Sequence, residues 1–249
     1  MSGTVRRTSD DHGSRLGNVL SGIAVAVGCV LFLGGFAWGA MLYLPYTVPT
    51  DSMSPTVPAG DRVLAERIDG SEVRRGDVVV FEEKIWGNVP MVKRVVGVGG
   101  DTVACCDAED RLTVNGEPVE EPYLRGEKAS YTDFSTEVAK DKLFLLGDER
   151  RTSVDSRSHL QDAGQGTVPL SAVRARVEGI AWPAGHWGIL ERPAGFAELP
   201  GGISVQGPLK LIVWSVVAGA ALILGGAAYG PVAKLAGRRR GKDRSVAVA

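Results

Sequence analysis

The sequence predicts a mainly β, antiparallel domain held outside the membrane between two transmembrane α-helices. Three observations predict it. Two long uncharged apolar runs lie near the ends, short β-rich segments punctuated by Gly-Asp pairs fill the middle, and positive charge gathers at the termini.

Residues 1–18 are polar and carry no periodicity, so they read as a cytoplasmic tail. The first apolar run, residues 19–44, and the second, 211–230, contain no charged side chain. As helices they would be roughly 39 and 30 Å long, against a hydrocarbon core of about 30 Å. The first run is too long for a removable signal sequence, and it continues past its small-residue triplet Ala37-Trp38-Gly39. The formal net charge of −1 argues against a nucleic-acid partner and hides an asymmetry. Outside residues 45–210 there are 9 Lys/Arg and 3 Asp/Glu, and inside there are 19 and 26. Arg6, Arg7 and Arg15 precede the first run, and Lys234, Arg238, Arg239, Arg240, Lys242 and Arg244 follow the second within the basic tail 231–249. Basic flanks stay in the cytoplasm, which predicts a multi-pass plasma-membrane protein with both termini inside.

Residues 45–182 read as the β domain. Strand-like segments cover 62–68, 77–81, 91–98, 102–104, 112–114, 143–146 and 173–181. Asn115-Gly116 predicts a two-residue hairpin, since both central residues must adopt positive φ. Residues 125–142 read as a surface loop. The Pro- and Gly-rich stretch 183–210 reads as a juxtamembrane linker. Cys29 is a small apolar filler in the first run. Cys105 and Cys106 lack metal-ligand spacing, and a disulfide between them is left open. No metal or cofactor is implied.

No Gly-x-Ser-x-Gly elbow, His-Glu-x-x-His motif or phosphate loop is present. A serine can instead be activated by a neutral lysine, provided burial disfavours the ammonium. In Met91-Val92-Lys93-Arg94-Val95-Val96, strand alternation puts one cation among apolar neighbours whichever face is inward. The alternative is an edge strand whose long side chains reach water. Ser52 lies between prolines, eight residues after the first run, at most about 28 Å of extended chain.

Four blocks then occur in order: Pro49-Thr50-Asp51-Ser52-Met53-Ser54-Pro55-Thr56, Arg75 to Phe81, Val92 to Gly97 with Gly100-Asp101, and Gly147 to Arg157. Together they resemble the bacterial type I signal peptidases (leader peptidases), in the two-span form of actinobacteria. The resemblance implies the antiparallel β fold of that family. It also implies a membrane-bound serine endopeptidase that removes signal peptides from secreted preproteins after small-x-small motifs. By position it makes Ser52 the nucleophile and Lys93 the general base. It implies that Thr50 assists the oxyanion hole, that Ser153 orients the lysine amine, and that Asp148, Asp155, Arg157 and Arg94 form a supporting polar cluster. Arg94 is implied to pair with Asp148. Val48, Met53 and Val92 are implied to border the substrate. Asp51, Glu149 and the missing proline before Gly100-Asp101 depart from the family pattern. Asp51 beside the nucleophile would favour the charged form of Lys93 if the two were close. Asp51 and Glu149 motivate a second reading, a family member that binds secreted peptides without cutting them. A third is a membrane-anchored sensor or scaffold, which requires Ser52 and Lys93 to lie far apart.

Overall fold

The computed structural model describes residues 9–246, with side chains over 17–231. Most of the predicted N-terminal tail therefore lies outside the described side chains, as do the basic residues on both flanks. The chain divides into two compact units.

The first unit holds two helices, α1 (Ser9–Leu42) and α2 (Leu209–Val246). Their apolar portions, Gly17–Leu42 and Leu209–Pro231, have mean hydropathies of 2.3 and 2.2 and are long enough to cross a membrane. Glycine brings the two backbones together: a Cβ on Gly28 would collide with the Gly219 carbonyl and Ile223. The Ser21 hydroxyl donates to the Gly226 carbonyl at 2.7 Å. Two predicted boundaries shift. The first helix ends at Leu42, not Leu44, because Tyr43–Thr47 is a strand. The predicted basic tail from 231 is helical through Val246.

The second unit, residues 42–207, is mainly β. Its strands are β1 (Tyr43–Thr47), β2 (Arg62–Glu66), β3 (Val78–Phe81), β4 (Met91–Val98), β5 (Thr102–Cys105) and β6 (Leu112–Val114). They continue with β7 (Glu117–Pro118), β8 (Phe134–Glu137), β9 (Lys142–Leu146), β10 (Val168–Pro169), β11 (Val173–Trp182) and β12 (Gly188–Ile189). The larger sheet has the order β1-β2-β11-β3-β4-β9-β10, with β12 beside β11, and the smaller has the order β7-β6-β5-β8. All pairings are antiparallel. Pro45 is tolerated because β1 is an edge strand. Asn115 and Gly116 take φ of 56° and 85° and join β6 to β7, as their sequence predicts.

The larger sheet is covered on both faces, so β4 is buried nearly throughout. Val48, Met53, Val57, Val80, Val92 and Ala175 pack in one core cluster, and Val79, Phe81, Val95, Leu143 and Leu145 in another. A third core, around Val103, Leu112, Phe134 and Phe144, lies under the smaller sheet.

Two predicted loops are part of this fold. Residues 125–142 contain β8, and Ala129, Phe134 and Val138 are buried. Segment 183–207 is no free linker: Leu190, Phe196 and Leu199 are buried, and Gln206 donates to the Leu190 carbonyl at 3.0 Å. Arg192 and Ser204 close a buried ionic cluster with Asp77, Arg176 and Glu178. Cys105 and Cys106 are joined by a disulfide.

Candidate active site

Ser52 sits in a loop that leaves β1 and returns to β2. The loop is closed by backbone bonds from Val48 N to the Asp61 carbonyl (2.9 Å) and from Gly60 N to the Val48 carbonyl (2.8 Å). Met53 and Val57 pair within it and are fully buried, which pins the loop to the core. Ser52 is thereby held at the surface end of an apolar anchor.

Lys93 comes from the middle of β4, between β3 and β9. It does not reach for water: only 5% of the residue is exposed. Its Nζ lies 2.7 Å from Ser52 Oγ. Burial, the largest influence, pushes the lysine below its ordinary value near 10.5. The charges of Asp155 and Asp148 oppose that fall, and Arg157 adds to it. A lysine depressed in this way spends more of its time as the free amine that can accept a proton.

The supporting cluster is built on the β9 end and the loop after it. Arg94 donates to Asp148 twice, from Nε at 2.8 Å and Nη2 at 2.6 Å. Arg94 is also held by the Gly76 carbonyl at 2.9 Å and lies 3.9 Å over the Tyr123 ring. Asp155 accepts from Gly147 N at 3.0 Å and pairs with Arg157 through Nε at 2.9 Å and Nη2 at 2.8 Å. Glu149 N donates to the Ser52 carbonyl at 3.1 Å, which joins the Ser52 loop to this cluster. Thr50 Oγ1 donates to Ser52 Oγ at 3.2 Å. Ser52, Lys93, Thr50, Arg94, Asp148, Asp155 and Arg157 are thus gathered as the sequence leads one to expect.

Two expected roles are not seen. The Ser153 hydroxyl makes no hydrogen bond to Lys93. It is buried without a partner among the described residues, packed near Gly147, where a Cβ would collide with it and with the Ser52 carbonyl. Met53 does not border the cleft but is fully buried in the core beneath it, because its bridge to Val57 turns it inward. Val48 and Val92 do line the cleft.

That cleft, of about 410 Å³, runs past Ser52 and Lys93 and is also lined by Trp86, Val89, Pro90, Met91, Val154 and His159. The Trp86 and His159 rings stack with centroids 4.4 Å apart. Sequence reasoning missed this wall, since a lone Trp in a hairpin loop carries no periodic signal. The two departures at the site are accounted for by loop bonds. Asp51 accepts from Ala59 N at 3.0 Å, and it is not among the charges acting on Lys93. Glu149 accepts from Thr152 N at 2.7 Å.

A serine within hydrogen-bond reach of a buried amine can be activated without a histidine, and the cleft runs beside this pair. With two membrane-length helices on the same chain, these features define a membrane serine hydrolase. The model of the signal peptidase family, peptidase S26, matches residues 18–182, and the chain belongs to that family. It is similar to the probable signal peptidase I of Mycobacterium leprae (strain TN), with 32% identity over 58% of this chain and 70% of that one. It is likewise similar to signal peptidase I S of Bacillus subtilis (strain 168), with 36% identity over 55% of this chain and 76% of that one. A solved signal peptidase I from Enterococcus faecalis V583 matches 41% of this chain and 94% of its own at 27% identity, with a TM-score of 0.35.

Proposed function

We propose that this membrane serine peptidase removes signal peptides with Ser52 as nucleophile and Lys93 as general base. The observation that carries the reading is the 2.7 Å separation of Ser52 Oγ from the Nζ of a buried lysine. Lys93 as free amine takes the Ser52 proton while Oγ attacks the carbonyl of the scissile bond. The Ser52 N–H and the Thr50 hydroxyl receive the developing oxyanion, a contribution of roughly 3 kcal/mol per preorganised donor. The lysine ammonium then protonates the leaving amine as the peptide bond breaks. Water, deprotonated by Lys93, attacks the acyl ester, and Ser52 regains its proton.

Val48 and Val92 narrow the cleft beside the dyad, which supports a preference for small side chains before the cut. The substrates are translocated preproteins whose apolar segment ends in a small-x-small motif. Basic residues flanking both apolar runs support an orientation with both termini in the cytoplasm and residues 45–210 outside. The test is cleavage of a panel of preproteins by the purified chain, with product masses locating the cut. Cuts after small-x-small motifs support the reading, and uncut preprotein rejects it. Asp51 and Glu149 each accept a loop hydrogen bond, which supports the catalytic reading over a binding-only one, and the same cleavage assay separates the two.

A further inference from the structure

The nucleophile loop is tied to the supporting cluster at two points four residues apart. One is the backbone bond from Glu149 N to the Ser52 carbonyl, 3.1 Å. The other is a side-chain bond from Thr56 Oγ1 to Asp148 Oδ2, 2.5 Å, spanning 92 residues of sequence. The ties therefore land on consecutive residues, 148 and 149, and together they hold the loop against the segment that follows β9.

Asp148 is well placed to transmit more than position. Its Oδ2 already accepts from Arg94 Nη2, and Thr56 supplies a further hydrogen to the same oxygen. Arg94 cannot swing away, since it is clamped by Gly76 and stacked on Tyr123. The other charge reaching this carboxylate is that of Arg150, which is paired with Glu121; burial keeps the neighbouring Tyr123 hydroxyl neutral. The charges acting on Lys93 are Asp155, Asp148 and Arg157. Of the carboxylates in that set, Asp148 is the one that a residue of the Ser52 loop contacts.

We propose that Thr56 is a positioning residue. Its hydroxyl holds the Ser52 loop on Asp148, the partner of Arg94 next to Lys93 on β4, so the seating of the loop and the charge of that carboxylate are set together. This rests on the Ser52–Lys93 reading above. Removing the hydroxyl leaves Asp148 more negative toward Lys93, which favours the ammonium and weakens the base at neutral pH.

The test uses the full chain in detergent with Thr56→Val, Thr56→Ala and Thr56→Ser. The Lys93 amine is titrated by competitive acylation across pH, with the Lys93 peptide quantified by mass spectrometry. Cleavage of a preprotein supplies kcat and KM. Thr56→Val should move the Lys93 titration to higher pH by about half a unit. It should lower kcat by about tenfold with KM within about twofold. Thr56→Ser should restore both, and Thr56→Ala reports the same loss if valine disturbs folding. An unmoved Lys93 titration in the folded hydroxyl-free variants overturns the proposal, even where kcat falls. A wild-type chain that leaves preproteins uncut while Thr56→Val still shifts Lys93 would sink the peptidase reading and leave this one standing.

Discussion

Replacing Arg94 by methionine tests how the polar cluster is paid for. The guanidinium and its partner Asp148 are 3% and 0% exposed, so neither is solvated. Methionine fills the space of the aliphatic stem but leaves a carboxylate buried with Thr56 as its remaining side-chain donor. Breaking one side of such a pair costs about 3–5 kcal/mol. The Gly76 carbonyl also loses its Arg94 donor, which adds to the loss. The assay is guanidinium chloride unfolding of the full chain in detergent, followed by tryptophan fluorescence. Arg94→Met should lower stability by about 3 kcal/mol or more, and Arg94→Met with Asp148→Asn should recover about 2 kcal/mol of it. A single-variant loss below about 1 kcal/mol, or a double variant no more stable than the single, would refute a buried, mutually dependent pair.

Three further predictions follow from the same geometry. Lys93→Met should abolish cleavage yet raise the melting temperature, because it removes the buried amine whose desolvation is the largest influence on that site. The sign for the wild type follows from the same shift. The folded pKa lies below the unfolded one, so the unfolded chain holds the extra proton between the two values. Stability should rise with pH across that window, and the full cost of burying the ammonium remains below it. Activity should climb through the lowered pKa as well, and a pH–rate profile flat from acid to alkaline would contradict the role of base. Gly147→Ala should lower kcat by about a hundredfold, since the added Cβ displaces Ser153 or the Ser52 carbonyl. Wild-type kinetics in that variant would show the contact to be slack.

Much of the site was legible because its residues break local rules. A lysine and an arginine adjacent in an otherwise apolar strand are a conflict that either a buried site or an edge strand could resolve, and both are buried in β4. The Gly147–Arg157 block was legible only through the family resemblance, in order with the other three blocks. The strands with clear alternation or turn chemistry, such as β4 and the Asn115-Gly116 hairpin, lie where expected. What escaped notice is held by long-range contacts. β8 sits in a polar stretch because only alternate residues, Phe134 and Thr136, face inward. Segment 183–207 has the composition of a linker, and three scattered apolar residues with Arg192 and Ser204 bind it to the domain. The Thr56–Asp148 bond and the Trp86–His159 stack join residues 92 and 73 positions apart, a relation that no local pattern encodes.

The most direct test of the central claim is product mass in a preprotein cleavage assay comparing wild type, Ser52→Ala and Lys93→Met, each confirmed folded by its melting transition. The account predicts a cut after a small-x-small motif by the wild type and none by either variant. Undiminished cleavage at the same bond by either variant would contradict it.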